Sequence, residues 1–311
     1  MSQQRISRHN HINITGSASE AKPFVFARHT VACERHPNRN EDSFIIEENS
    51  GLAAVFDGVG GSAAGEIASL TAAQSTRQSW KRILLQIQKG RKVHSLLEDC
   101  GKTDLCKILE QIISEADERV RTDGARRAGT SDLATTVAMS VFCREKDKRG
   151  YTMVYAHVGD SRAYLLRNNE ALKRLTNDDG LLAKLVENEV VNDADALRID
   201  QAMHTHQLSD TEYSYFRLRG GITQALGGPQ PPAIHSAQVT VFPGDRILLC
   251  TDGIHDNLID EEIEEILRTS TRTSAARLLV ERSVQRSHQE RDVTIRAKPD
   301  DMSAIVMTCR Y

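Results

Sequence analysis

Two short apolar runs in this 311-residue chain end in the same dipeptide. Leu52-Ala53-Ala54-Val55-Phe56 leads into Asp57-Gly58, and Ile247-Leu248-Leu249-Cys250-Thr251 leads into Asp252-Gly253. A short apolar run bounded by a Gly turn reads as a buried strand. A carboxylate at the end of such a strand is costly unless it is paired or bound to a metal. Two further acidic edges precede apolar strands. Asn40-Glu41-Asp42 stands before Ser43-Phe44-Ile45-Ile46, and Asp300-Asp301 before Met302-Ser303-Ala304-Ile305-Val306. Alone, each is an ordinary turn, because Asp-Gly is common turn chemistry. Two Asp-Gly turns closing two apolar strands, with two more acidic strand edges, are harder to explain as turns only.

The whole-chain charge hides this arrangement. Forty Lys and Arg against 43 Asp and Glu leave a net charge of −3, without the basic excess of a nucleic-acid binder. No apolar run approaches the ~20 residues that span a bilayer. Residues 1–23 are polar with scattered charge, unlike a secretory signal. The 39% apolar share is that of a globular protein. Six cysteines (Cys33, Cys100, Cys106, Cys143, Cys250, Cys309) form no C-x-x-C pair. Reduced cysteines in a cytoplasmic monomer are therefore expected, with neither nucleic acid nor membrane as partner.

Local patterns predict the order of elements. Residues 1–22 read as a flexible tail and 23–311 as one domain. Strands are expected at 24–32, 43–47 and 51–56, then a helix over 62–80 with Ile67, Leu70, Ala73 and Trp80 near one face. Residues 89–102 read as a basic loop. From Leu105 to Val120 the apolar residues follow a 3.6-residue period, and residues 121–129 break the helix with Gly and charge. Short strands follow at 135–143, 152–158, 162–167 and 171–175, with Asn168-Asn169 as a hairpin turn because Asn tolerates positive φ. Residues 179–215 are acidic and helical or looped. Strands return at 235–242 and 246–250, Asp260 is placed to cap a helix, Thr273 or Ser274 starts another to about Ser287, and 302–309 is a closing strand. Strands at both chain ends and segregated helices give an α+β layout of packed sheets with helices outside.

Chemically, the four acidic strand ends read as oxygen ligands for a hard divalent cation such as Mg²⁺ or Mn²⁺. Gly58 leaves room for its carbonyl to face a metal. A metal pair about 3.5–4 Å apart would activate a bridging water and clamp a phosphoryl group. No His/Cys cluster offers a zinc alternative.

With these residues in view, the chain resembles the bacterial form of the metal-dependent protein Ser/Thr phosphatases of type 2C. The motifs occur in family order: Asn40-Glu41-Asp42-Ser43, Asp57-Gly58-Val59-Gly60-Gly61 with Gly65-Glu66-Ile67-Ala68-Ser69, Ala134-Thr135-Thr136, Val158-Gly159-Asp160-Ser161-Arg162-Ala163-Tyr164, Ile222-Thr223-Gln224-Ala225-Leu226-Gly227, Leu249-Cys250-Thr251-Asp252-Gly253 and Asp300-Asp301-Met302-Ser303. The resemblance implies a four-layer α-β-β-α sandwich of two antiparallel sheets flanked by helices, with a variable flap at about 180–220. It implies two Mn²⁺ or Mg²⁺ ions. Asp57 would bridge them, with the Gly58 carbonyl, Asp252, Asp300 and Glu41 as further ligands and Asp42 orienting water. Phosphoserine or phosphothreonine would be hydrolysed by direct attack of a metal-activated water. The substrates would be phosphoproteins, and the chain would oppose a Ser/Thr kinase and its targets.

Departures from the family pattern matter too. Pro37 stands nearest the usual phosphate-gripping Arg, leaving Arg35 and Arg39 as candidates. Val59 offers no general acid, so the leaving group would take its proton from water. Asp256, with Asp132 as the other acid, is the candidate set for a third metal. Asp160 is expected to be structural. The rival reading is a phosphatase-like module that binds phosphoproteins without turnover.

Overall fold

The computed structural model describes residues 22–59, 64–87, 97–98, 104–144 and 149–311. The expected tail at 1–22 falls outside these apart from Lys22, as do most of the basic loop at 89–102 and the start of the helix expected from 62.

Alternation along each strand builds the layers. Strands β1 (Phe24–Val31), β2 (Ser43–Glu47), β3 (Leu52–Phe56) and β4 (Gly58–Val59) lead into helix α1 (Ala64–Ile87). A two-residue strand β5 (Leu97–Glu98) precedes α2 (Leu105–Arg119) and the short α3 (Ala125–Ala128). Then come β6 (Ala134–Thr135), β7 (Val137–Arg144), β8 (Tyr151–Val158), β9 (Arg162–Leu166) and β10 (Lys173–Arg174). Helices α4 (Leu181–Glu187), α5 (Asp193–Asp200) and α6 (Asp210–Leu218) are followed by β11 (His235–Val241) and β12 (Arg246–Cys250). The chain ends with α7 (Asp252–His255), α8 (Asp260–Thr269), α9 (Ala275–Ser287) and β13 (Met302–Cys309). One sheet has the order β1-β13-β12-β9-β10, and the other β11-β8-β7-β3-β2 with β5 pairing β7. All these pairings are antiparallel except the parallel β5–β7 contact.

In β3, Ala53 and Val55 face the opposite sheet while Leu52, Ala54 and Phe56 face α1 and α2. In β12, Ile247 and Leu249 point between the sheets, and Leu248 and Cys250 point to α8 and α9. Three apolar layers thus separate helices, sheet, sheet and helices, which is the expected four-layer sandwich. A fourth small core around Ile199 and Phe216 holds α4, α5 and α6 together beside it.

Several local expectations need correction. The helix expected to end at Trp80 runs on to Ile87, and Leu70 is exposed rather than on the buried face. Small residues, Ala64, Ala68, Ala72 and Ala73, let α1 lie close to the sheet. The expected break at 121–129 is a continuation: Val120–Gly124 form a π-helical turn and α3 follows, ending at Gly129 with φ 70°. The charge run supports this turn through Arg119–Asp123 and Arg126–Asp123 pairs at 2.7 and 3.0 Å. Asp260 is not the cap of α8. Ile259 takes that position, its N–H donating to Glu262 Oε2 at 3.2 Å, while Asp260 accepts from the buried Tyr164 hydroxyl at 3.2 Å. Asn169 does adopt φ 65° in the β9–β10 hairpin. Cys143, expected reduced, is disulfide-bonded. Pairing depends on proximity in the fold, which spacing along the chain does not report.

Candidate active site

Antiparallel register brings the four acidic strand ends to one edge of the sandwich. Ser43, just after Asp42, pairs with Phe56, just before Asp57. Cys250, two residues before Asp252, pairs with Ala304 and with Arg162. Met302, two residues after Asp300, pairs with Val31.

Backbone contacts hold each carboxylate in place. The Asp57 carbonyl accepts from the Thr136 N–H and the Thr135 hydroxyl, both at 2.8 Å, so the Ala-Thr-Thr motif clamps this turn. Gly58 N–H donates to the Glu41 carbonyl at 3.1 Å. A Cβ on Gly58 would collide with the carbonyl oxygens of Gly65 and Glu41, so only glycine allows this approach. Asp301 accepts from the backbone N–H groups of Cys33 and Glu41, both at 2.6 Å, and ties the loop before β2 to β13. Asp42 is buried, and its Oδ2 accepts from the Thr251 hydroxyl at 2.8 Å.

The electrostatics are those of crowded like charges. Burial, with Asp252, Asp42, Asp300 and Asp160 around it, holds the Asp57 carboxyl well above the usual carboxylate range. Burial does the same to Asp42, reinforced by Asp301 and Asp300 against hydrogen bonds from Ser303 and Thr251. Burial and the Asp252 charge push Asp300 up to about 7, with Lys298 acting against them. Burial also raises Glu41 despite Arg39, whose guanidinium pairs with Oε1 at 2.9 Å.

Lys298 is the residue that sequence reasoning missed. Its Nζ lies 2.6 Å from Asp252 Oδ2, 2.7 Å from Asp256 Oδ2 and 3.1 Å from Asp300 Oδ2. No spacing pattern marks it; its position next to Pro299-Asp300 was the one available signal. Asp256 is further held by Arg219 Nε at 3.4 Å. Burial favours a neutral Asp256, but Arg219, Lys298 and His255 outweigh it and keep its pKa well below normal.

Of the remaining candidates, Arg35 is exposed and makes no side-chain hydrogen bond or ion pair among the described residues. It lines a surface hollow with His36, Pro37, Asn38 and Arg39. Asp132 is exposed on the loop before β6, with its backbone N–H on Thr130 Oγ1 at 3.1 Å. Asp160 is buried, and its carbonyl accepts from His255 Nε2 at 3.0 Å.

The donor set fits a hard divalent cation. It is all oxygen, Asp42 Oδ1 and Asp252 Oδ1 are buried without a hydrogen-bond partner, and the mutual repulsion of the acids asks for positive charge. Among the described residues no group of three or more His, Cys, Asp or Glu side chains is placed to hold a metal ion, and three of the acids converge on Lys298.

Comparison with known proteins identifies the family and the fold. The protein phosphatase 2C family model matches residues 32–291, a span containing Glu41, Asp42, Asp57 and Asp252 but ending before Lys298 and Asp300. A "Serine/threonine phosphatase stp" of Listeria welshimeri is 25% identical over 236 residues, covering 76% of this chain and 79% of the relative. The "Serine/threonine protein phosphatase PstP" of Mycobacterium tuberculosis is 28% identical over 243 residues, covering 78% of this chain and 38% of that protein. In three dimensions the fold resembles the crystal structure of M. tuberculosis PstP/Ppp, with a TM-score of 0.66 at 24% identity, covering 93% of this chain and 99% of that one. It also resembles Stp1 from Staphylococcus aureus, with a TM-score of 0.67 at 20% identity, covering 92% of this chain and 95% of that one. The chain belongs to the protein phosphatase 2C family.

Proposed function

We propose that the acidic edge of the sandwich is the catalytic centre of a divalent-metal-dependent protein serine/threonine phosphatase. The observation that carries this reading is the convergence of Asp57, Asp252 and Asp300 from distant segments, with the Asp252 charge raising both Asp57 and Asp300. A fold has no use for such repulsion unless a cation is meant to balance it. A solved PstP catalytic domain is described in complex with 2 manganese ions, which supports Mn²⁺ as a usable metal.

Asp57 would bridge two ions, and the Gly58 carbonyl, Asp252, Asp300 and Glu41 would complete their protein ligands. Bound there, Mn²⁺ or Mg²⁺ would lower the pKa of a water and neutralise phosphoryl oxygens. The protein's own contribution is positional. Thr135 and Thr136 fix the Asp57 turn, and Asp301 fixes Glu41. Asp42, anchored by Thr251 through one oxygen, keeps the other free to orient an attacking water and accept its proton. Arg35 and Arg39 stand ready to grip the substrate phosphate. Val59 cannot donate a proton, so solvent protonates the leaving serine or threonine oxygen.

The substrates are phosphoproteins, with a Ser/Thr kinase and its targets as natural partners. Among the described residues no helix is long and apolar enough to cross a membrane. The rival, a binding module without turnover, is not favoured by relatives named as phosphatases. The test is phosphate release from a phosphothreonine peptide with and without Mn²⁺. Metal-dependent release that Asp57→Asn abolishes supports the reading. No release, or an Asp57→Asn variant equal to the parent, sinks it.

A further inference from the structure

We infer that Lys298 is a resident cation of the catalytic cleft, its ammonium standing at the Asp252–Asp256 corner in place of a third divalent ion. The inference rests on the metal-dependent reading above and adds to it the number of ions the cleft can take.

The geometry is that of a built site rather than a surface lysine that happens to lie near acids. The Lys298 backbone is pinned on both sides by the fully buried Asn257: Lys298 N–H donates to Asn257 Oδ1 at 3.1 Å, and Asn257 Nδ2 donates to the Lys298 carbonyl at 2.9 Å. The chain then turns into Pro299, whose ring fixes the next φ. An ammonium has three donors, and here each meets a different carboxylate, at 2.6, 2.7 and 3.1 Å. Asp252 and Asp256 lie four positions apart across the turn of α7, both buried, and Asp252 keeps a second oxygen, Oδ1, that is buried and has no partner. That oxygen stays available to an ion of the pair while Oδ2 is taken by Lys298. Asp256 is also paired with Arg219, so this corner already has two protein cations. A divalent ion there would have to displace the ammonium from the carboxylates it already holds, losing those charge-assisted contacts. Asp132, the other acid expected for a third ion, is exposed on the loop before β6.

The test is calorimetric titration of the metal-stripped full chain with MnCl₂, for the parent, Lys298→Met and the double variant Lys298→Met/Asp256→Asn. Folding is checked by circular dichroism. The expected stoichiometry is two Mn²⁺ for the parent, three for Lys298→Met and two again for the double variant. Three ions on the parent overturn the inference, as do two on Lys298→Met. Two ions on Lys298→Met bound more tightly than by the parent also overturn it, because Lys298 would then compete with the catalytic pair. Uptake of no Mn²⁺ by any of the proteins takes down the metal-dependent reading itself, and the inference with it. If Lys298→Met does not fold, Lys298→Gln, which keeps donors but no charge, is titrated instead, and bound Mn²⁺ is counted by electron paramagnetic resonance with the same criteria.

Discussion

Two buried clusters of acids lie side by side at this edge of the sandwich, and they behave in opposite ways. In the first, Asp178 and Asp200 meet guanidinium groups. Arg162 binds Asp178 through Nε at 2.9 Å and NH2 at 2.5 Å, and reaches Asp200 Oδ1 at 3.1 Å, while Arg174 lies 3.6 Å from Asp200 Oδ2. Burial alone would push both acids up, but Arg162 outweighs it at Asp178, as do Arg162, Arg296 and Arg174 at Asp200, and both are held below the usual range. In the second, Asp57, Asp42, Asp160 and Asp300 crowd one another, and all are pushed up. The same residue type is thus held by ion pairs in one place and raised by like charges in the other, where Lys298 reaches Asp300. The first is architecture: Arg296, fully buried, donates to the carbonyls of Asp200, Ala202, His255 and Leu258 and so ties α5 to the elements beside the site. The second is chemistry.

The sharpest way to break this comparison is to remove one charge from each cluster. Asp57→Asn should lower metal-dependent phosphatase activity by about 1,000-fold or more, the scale lost when a group that stabilises the reacting centre is removed. The folded apo protein should be at least as stable as the parent, because one repelling charge is gone. Steady-state kinetics and urea denaturation without metal read the two halves separately, and a large loss of apo stability would contradict it. Asp200→Asn should do the reverse. Leaving Arg162 short of a partner in a buried setting costs about 3–5 kcal/mol of folding stability, with smaller effects on the activity of the molecules that remain folded.

A third buried group between the clusters adds its own pH dependence of stability, opposite in sign to that of the raised acids. Burial holds His255 down at about 4, reinforced by Arg162 against Asp178, Asp256 and Asp252. In the unfolded chain it would titrate near 6.5. The unfolded state therefore takes up a proton first as the pH falls. The neutral native histidine costs nothing above about 6.5, and the His255 contribution to stability declines between there and about 4. The loss amounts to ~3 kcal/mol at most. His255→Gln should flatten that part of the acid limb in a denaturation series, and an unchanged slope between pH 6.5 and 4 would remove His255 from the account.

The strand ends were legible because they combine two local signals, an apolar run and an Asp-Gly turn, that antiparallel pairing then brings to one edge. Asp57, Asp252 and Asp300 needed no long-range information beyond strand order. Lys298 did. Its partners are set by the Asn257 clasp and by α7, neither of which leaves a periodic trace in the sequence. Asp301 was legible as an acid but not as the double acceptor that holds the Cys33 and Glu41 backbones. The π-helical turn at Val120–Gly124 was hidden by Gly124 and the surrounding charge, whose pairing emerges only when the turn is formed. The Arg162 network was half visible: the Gly159-Asp160-Ser161-Arg162 motif marks its start, but Asp200 joins it from α5, a segment that read only as an acidic stretch.

The smallest expected effect separates the two arginines near the cleft. Arg39 is already engaged by Glu41 at 2.9 Å, whereas the Arg35 guanidinium is exposed and has no ion pair among the described residues. An incoming phosphate finds a ready fork at Arg35 but must share Arg39 with a carboxylate. An exposed charge pair contributes at most about 1 kcal/mol, which is roughly fivefold in an equilibrium constant. Arg35→Ala should therefore raise KM for a phosphothreonine peptide by up to about fivefold while leaving kcat near the parent value. Arg39→Ala should disturb kcat as well, because it frees Glu41, a proposed metal ligand. Both effects should fade in high salt, since the attraction at Arg35 is open to screening. A KM unchanged in Arg35→Ala but raised in Arg39→Ala would assign the phosphate grip to Arg39, and would mean that Glu41 gives up its partner when substrate arrives.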